Sequence, residues 1–366
     1  MRTLYILAAS MLSFAFVSCN KADEDAVAID FDVQYDVELK GGDITTDNIS
    51  SFGVLAAVDF AGKGFLSDEA DLRDFMDDVP VEEDGEGVWK ANPTHYWPVD
   101  PVKTVSFFAY APYGKGVMAE SDWADKSMTI TYTPDPNPSN QVDLCVAVPV
   151  LDRSGYDPVS FTFQHTMSRM SFAANFIGDL PADNGTPICY LRIDELSLLN
   201  LHGSNSFKVI PGLSEDQPCY VWNEFGEGVA KDARYDLSVG NLTLGDVSIP
   251  KQTVDTEDYD YQEFVTAGGF VYILPQLINP ADESARTMMD VTFSYVKTDA
   301  QSTVMAQFQI RKVFPNNILL EPNARYKVEF TIDVTNATMA DVRCVPVGWI
   351  NDWENSQNQH EDQIIK

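Results

Sequence analysis

Positive charge is what this chain has least of. Lys and Arg number 24 against 56 Asp and Glu, for a formal net charge of −32. So acidic a surface repels nucleic acid and anionic lipid head groups, which excludes both as electrostatic partners. Histidine is nearly as scarce. His95, His165, His202 and His360 are the only four, and none forms an HxH or HExxH spacing, so no catalytic metal motif is offered. GxSxG, P-loop and GxGxxG patterns are also missing. No enzymatic chemistry, cofactor or metal is therefore expected. Cysteine is limited to five residues, without a CxxC pair, which argues against a zinc-thiolate site. Apart from the N-terminus, no apolar run approaches the ~20 residues of a membrane span.

The exception is Leu4–Val17, an almost unbroken apolar run preceded by Arg2 and followed by Ser18-Cys19. A charged start, a short apolar stretch and a small residue before a cut site make a secretory signal, here residues 1–18. Phe16-Val17-Ser18-Cys19 resembles a loose lipobox, which makes Cys19 the expected lipidation site and new N-terminus. Asp23-Glu24-Asp25 resembles the surface-export signal of outer-membrane lipoproteins. Residues 19–28 then form a lipidated acidic linker, and localisation at the cell surface through lipid alone is expected. Cys145, Cys189, Cys219 and Cys344 remain. They allow three pairings, and buried free thiols are equally compatible with their apolar surroundings.

The remaining length is more than one core usually serves. Its dominant pattern is short alternating runs broken by Gly, Pro and Asn. Ile29, Phe31, Val33, Tyr35, Val37 and Leu39 alternate with Asp30, Asp32, Gln34, Asp36 and Glu38, the pattern of a strand with one acidic wet face. Lys40-Gly41-Gly42 ends it in turn chemistry. Phe52–Phe60 is apolar enough for cover on both faces. Ser67 followed by Asp68, Glu69, Leu72, Phe75, Met76 and Val79 has helical spacing, stopped at Pro80. From Val159 to Phe176 the inward set changes phase after Ser168-Arg169, which marks a bulge or corner. The turn at Gly155–Pro158 divides the strands into 29–157 and 158–366. The fold class is all-β, two successive β-sandwiches with at most one or two short helices.

Trp89, Tyr96-Trp97-Pro98 and Phe107-Phe108-Ala109-Tyr110-Ala111-Pro112 resemble landmarks in the first domain of fimbrillin-like proteins. Phe161–Ser168, Leu274-Pro275-Gln276, Tyr326–Val334 and Val347-Gly348-Trp349 resemble their second domain. The order of these segments carries the resemblance. It implies two transthyretin-like sandwiches, adhesion and assembly with other fimbrial subunits, and no enzymatic activity. It also implies that the first strand is cut away after a basic residue and replaced by a strand from a neighbouring subunit. Ile29–Leu39 is then the groove strand and Lys40 the candidate cleavage position, although the family more typically presents arginine. Val342, Cys344, Val345, Val347 and Trp349 are the candidate donor strand, interrupted by Pro346 and Gly348. Poor donation fits a tip or accessory subunit better than a stalk.

The rival reading is a monomeric surface lipoprotein that binds a glycan or host protein, with Trp89, Tyr96 and Trp97 as stacking platforms. His165, on an apolar strand face, is read as a hydrogen-bonded core residue. Asp135-Pro136-Asn137 and 255–260 offer oxygen ligands for calcium but lack EF-hand spacing, and are read as solvated loops.

Overall fold

The computed structural model describes residues 26–35, 49–85, 88–100, 102–212, 218–226, 229–237, 248–252, 261–263, 270–278, 286–314 and 317–347. In the first half the strands are β1 (Asp30–Tyr35), β2 (Ser51–Asp59), β3 (Leu72–Glu83), β4 (Trp89–Ala91), β5 (Thr104–Ala111), β6 (Val117–Asp122), β7 (Ser127–Tyr132), β8 (Cys145–Ala147), β9 (Val150–Arg153) and β10 (Val159–His165). There follow β11 (Ser168–Ile177), β12 (Ala182–Asp183), β13 (Thr186–Pro187), β14 (Cys189–Leu201), β15 (Asn205–Val209), β16 (Tyr220–Trp222), β17 (Ala233–Asp236) and β18 (Gln262–Glu263). The last are β19 (Val271–Ile273), β20 (Gln276–Ile278), β21 (Met288–Lys297), β22 (Val304–Val313), β23 (Ile318–Leu320), β24 (Ala324–Asp333) and β25 (Thr338–Val347). A short 3-10 turn at Pro138–Asn140 is the only helical element among the described residues. The all-β expectation holds.

The first core lies inside a barrel. Its strands run β2-β3-β4-β1-β10-β8-β5, and β5 pairs back onto β2 from Gly53↔Tyr110 to Asp59↔Thr104. An open sandwich was expected here; alternation shows which residues face inward but not which edges meet. Phe52, Val54 and Ala56 of β2 and Phe107, Ala109 and Ala111 of β5 point into the barrel. The mixture of large and small side chains lets a small barrel fill without overpacking. Their neighbours Leu55, Ala57, Phe108 and Tyr110 point outward and are equally buried.

What covers them is a sheet shared by both halves of the chain, ordered β16-β15-β7-β6. β7 pairs with β15 from Tyr132↔Asn205 to Met128↔Val209. Met128, Ile130, Phe207, Val209 and Tyr220 pack from this sheet onto the barrel's outer face. The third core lies between the two layers. The C-terminal core fills the space between β18-β11-β24-β25 and β17-β14-β21-β22.

The turn at Gly155–Pro158 connects β9 and β10, which both belong to the barrel sheet. The chain leaves the first core after His165, and Met170 is the first residue of the C-terminal core. The change of phase near Ser168 is this passage from one core to the next.

The expected helix after Ser67 is a turn followed by β3. Register against β2 runs Val54↔Val79, Ala56↔Met76 and Ala57↔Asp74, so β3 carries two extra residues. Bulges of that kind re-aim the strand and reproduce a helical spacing of apolar residues. The preceding backbone donors are committed elsewhere. Asp59 accepts hydrogen bonds from the N–H groups of Ala61, Lys63, Gly64 and Asp71 at 2.6–3.0 Å.

Burial opposes ionisation of Asp59, but these four donors outweigh it and hold the carboxyl below its usual range. Its contribution to stability is therefore complete above the unfolded value of about 4 and is lost as pH falls through the lower folded value. Asp59→Ala is expected to cost about 2–4 kcal/mol at neutral pH, because it orphans several donors. It should also flatten the acid limb of the stability–pH curve measured by urea denaturation. An unchanged acid limb would show that the loop donors do not depend on Asp59.

The shared sheet predicts joint unfolding. Phe207 is fully buried, with its ring 4.7 Å from that of Trp222 and 5.5 Å from that of Tyr220. Phe207→Ala should remove about 3–5 kcal/mol from a single urea transition. Two transitions, with only one displaced, would show that the halves are not coupled.

Candidate functional site

β1 is the strand to which sequence reasoning gives the central role. It lies between β10 and β4. The ladder to β10 is parallel and continuous, with Phe31↔Val159, Val33↔Phe161 and Tyr35↔Phe163 in register. The ladder to β4 spans only Asp30↔Lys90 and Phe31↔Trp89. Before the strand, Trp97 donates its backbone N–H to the Val27 carbonyl and Ile29 donates to the His95 carbonyl. β1 is thus held by one full ladder, one stub and a short lacing at its entry.

The side chains make a deeper contact than the ladders. Ile29 and Phe31 are 1% and 3% exposed. The Phe31 ring stacks on Phe161 at 5.8 Å and meets Phe52 and Phe107 edge-on at 6.0 and 6.1 Å. Trp89 closes the cage beside Phe52, with ring centroids 5.4 Å apart. Val33 packs half-buried on the same cluster, whereas Asp32 is exposed and accepts from Ser160 Oγ at 3.3 Å. This is the alternation read from the sequence. Without β1 the barrel would present a groove walled by the free edges of β4 and β10 and floored by Phe52, Phe107 and Phe161.

Of the other residues singled out, Cys19, Val37, Leu39, Lys40 and Trp349 lie outside the described residues. Val342, Cys344, Val345 and Val347 belong to β25, paired antiparallel to β24 as the last strand of its sheet. Val342 is buried in the C-terminal core and Cys344 packs against it, while Val345 and Val347 take the alternate positions. Burial pushes the Cys344 thiol up to about 12. No disulfide joins the described cysteines; Cys145, Cys189, Cys219 and Cys344 are free thiols. Trp89 and Trp97 are buried and only Tyr96 is exposed, so the three do not form an open aromatic platform. Asp135 and Asn137 turn their side-chain oxygens onto the backbone N–H groups of Asn137 and Ser139, as turn-forming residues do. The acidic run at 255–260 lies outside the described residues.

His165 is buried, as expected of a core histidine, but its partners were not foreseen. Its Nδ1 lies 2.8 Å from Asp143 Oδ2 and 3.4 Å from Cys145 Sγ. Burial alone would lower the imidazole, but the negative charges available on Cys145 and Asp143 raise it well above its ordinary value. Burial pushes the Cys145 thiol up to about 11. The Asp143–Cys145 spacing is visible in the sequence, but only the His165↔Cys145 register of β10 and β8 brings the third group in.

A closed barrel whose first strand is an apolar insert held by one full ladder and one stub defines an all-β protein with a lightly tethered first strand. Residues 41–188 match the fimbrillin-like family model. No curated protein matches. Among solved structures, a fimbrial protein from Bacteroides vulgatus is similar with a TM-score of 0.60 at 18% identity, covering 88% of this chain and 100% of its own. A candidate cell adhesion protein from Bacteroides uniformis is similar with a TM-score of 0.44 at 15% identity, over 89% of this chain and 99% of its own. The first of these likenesses supports the fold.

The cage around Phe31 is the feature that can be measured directly. Phe31→Ala should destabilise the uncut protein by about 3–5 kcal/mol, read from urea denaturation followed by tryptophan fluorescence. A loss below about 1 kcal/mol would show that the groove does not close on this side chain.

Proposed function

We propose that the chain is a fimbrial subunit that is exported as an outer-membrane lipoprotein, anchored through Cys19, and assembled by protease-triggered strand exchange for cell adhesion. The observation that carries this reading is the insertion of Ile29 and Phe31 into the aromatic groove on a strand with only one full ladder. The fimbrillin-like match of residues 41–188 supports it. The two main cores are read as variants of the transthyretin-like sandwich, the first curled until its edges meet. Cleavage after Lys40 separates β1 from β2 without breaking either. The freed strand then leaves only when another strand supplies equivalent side chains, since burying each large apolar residue contributes about 1.5–3 kcal/mol. The incoming strand pairs with β10 and β4 by β-augmentation. Its source is another subunit of the same family.

β25 is a poor donor. Val342 is already committed to the C-terminal core, and Pro346 removes a ladder donor within the strand. A chain that accepts a strand and donates badly acts at a tip or as an accessory subunit.

One observation favours the second reading, a surface lipoprotein that captures a glycan or host protein. A cleft of about 1080 Å³ opens beside β16, β20 and β23, lined by Trp222, Phe225, Leu277 and Leu319 with Asn223 and Glu224 at its polar margin. Ligand sites combine apolar walls with a few polar groups in this way.

The deciding experiment treats the mature protein with a lysine-specific protease at low dose, with and without a peptide carrying a neighbouring subunit's last strand. One early cut at Lys40, persistence of a folded two-piece complex, and displacement of the Ile29–Leu39 fragment by the peptide are expected. Lys40→Ala should abolish all three. Resistance at Lys40, or a cut that leaves the fragment undisplaced at any peptide concentration, would reject strand exchange and favour the monomeric reading.

A further inference from the structure

The barrel wall contains a cluster that neither strand exchange nor the cleft uses. Asp143, Cys145 and His165 are all buried, at 3%, 0% and 6% exposure. One ligating atom from each lies within 4.8 Å of the others. The sequence hides this set, because no spacing motif joins a D-x-C pair to a histidine two strands' length away.

The charge balance of the cluster is unusual for a packed interior. A buried carboxylate is ordinarily satisfied by several N–H or O–H donors, since an unpaired acceptor there costs about 1–3 kcal/mol. Asp143 Oδ2 lies 2.8 Å from His165 Nδ1, and neither carboxylate oxygen accepts a well-aligned hydrogen bond among the described residues. Cys145 Sγ approaches the same imidazole nitrogen at 3.4 Å. One nitrogen is therefore shared by a carboxylate and a sulfur that would otherwise have no strong donor. The remaining Asp143 oxygen, Oδ1, is buried and unmatched.

We propose that Asp143, Cys145 and His165 form a structural site for a divalent cation of the zinc class. Sulfur, imidazole nitrogen and carboxylate oxygen are the donor types that such an ion takes, in tetrahedral geometry. Zinc–sulfur and zinc–nitrogen bonds of about 2.3 and 2.0–2.1 Å place those two atoms roughly 3.5 Å apart in a tetrahedron. The observed 3.4 Å between Sγ and Nδ1 fits without movement. The nitrogen–oxygen pair, now at hydrogen-bond distance, opens by about half an ångström when the proton between them is replaced by a metal. Asp143 Oδ1 can add only a longer secondary contact from the same carboxylate, so the protein offers three separate ligands. Loading releases the Cys145 thiol proton and any proton on His165 Nδ1 to solvent, with no change of oxidation state. The surroundings support a structural role over a catalytic one. Tyr220 donates its hydroxyl to the His165 carbonyl, Thr166 Oγ1 donates to the Leu144 carbonyl at 2.8 Å, and no open face reaches solvent for a substrate.

The site's position gives it a task. β10 has β1 on one side and β8 on the other, and the β8 ladder is only Phe163↔Ala147, Gln164↔Val146 and His165↔Cys145. A metal bound by Cys145 and His165 staples that ladder at its last pair.

The test is to produce the mature chain without a histidine tag in a bacterial host, in medium supplemented with cobalt(II), and to measure metal content and absorbance after gel filtration. Near-stoichiometric cobalt and a thiolate-to-cobalt charge-transfer band are expected. Cys145→Ser and His165→Asn should each lower occupancy about tenfold or more and remove the band, while Cys344→Ser keeps both. The wild-type measurement stands by itself if a variant fails to fold. Only trace cobalt in the folded wild-type protein, or a band that persists in Cys145→Ser, would overturn the assignment.

Discussion

The ladder between Ser127–Tyr132 and Asn205–Val209 is the constraint from which the rest of the architecture follows. Its strands come from opposite halves of the chain, and they bury the outward face of the barrel beneath Met128, Ile130, Phe207 and Val209. β2 and β5 consequently have no wet face: Phe108 and Tyr110 point into this third core and Phe107 and Ala109 into the first. An antiparallel barrel with one solvated face would show alternating polar residues there. Here the alternation is between two dry environments, so the barrel and the C-terminal sandwich stay together when anything else in the molecule moves.

β1 is attached in the opposite manner. Among its described side chains none enters the third core; Phe31, with the preceding Ile29, is buried in the first. Its departure exposes Phe52, Phe107, Phe161 and the free edges of two strands, yet leaves the joint between halves intact. The free energy that holds it is local and apolar, which is the condition the proposed exchange requires: an incoming strand would have to bring large residues at alternate positions. Backbone pairing alone would offer less specificity, since any extended chain supplies N–H and C=O groups. The Phe31 cage makes side-chain shape and register the criterion, because a slip of one residue would turn the acidic positions of the strand toward the aromatic floor.

The strands and their inward residues were largely legible in the sequence, because burial of one face imposes period-two alternation. Ile29, Phe31 and Val33, the doubly apolar segment from Phe52 to Val58 and the late Tyr326–Val334 run behave as their patterns imply, whereas Phe60, just past the end of β2, is exposed. What escaped were features set by pairing between distant segments. Barrel closure depends on β5 returning to β2, and no local pattern encodes which edges meet. The apparent helix after Ser67 failed because two bulged residues in β3 imitate helical spacing, while Asp59 draws off the backbone donors before it. The Gly155–Pro158 turn joins two strands of the barrel sheet, a pairing that turn chemistry by itself does not reveal. His165 was assigned correctly to the core, but its acidic partner Asp143, just ahead of β8, is brought to it by sheet register rather than sequence proximity.

The same register ties the two sites of the barrel together. β10 is a shared wall: Val159, Phe161 and Phe163 face β1's partners at one end, and His165 meets Asp143 and Cys145 at the other. While β1 is in place, β10 is paired along its whole length, with β1 over Val159–Phe163 and with β8 over Phe163–His165. Once β1 leaves, β10 becomes an edge strand held by the short β8 ladder, with added backbone bonds from Val148 to Thr162 and from Thr166 to Leu144. An edge held so lightly frays, and a frayed acceptor loses the register that makes exchange selective. A coordinated cation between β8 and β10 opposes fraying at the pair where the ladder ends. It sits at the opposite end of β10 from Val159 and Phe161, so it stiffens that wall from outside the Phe31 cage. Under the proposed exchange, the strength of the β10 edge would be set by chemistry at His165, and β1 could stay weakly tethered without putting the groove itself at risk.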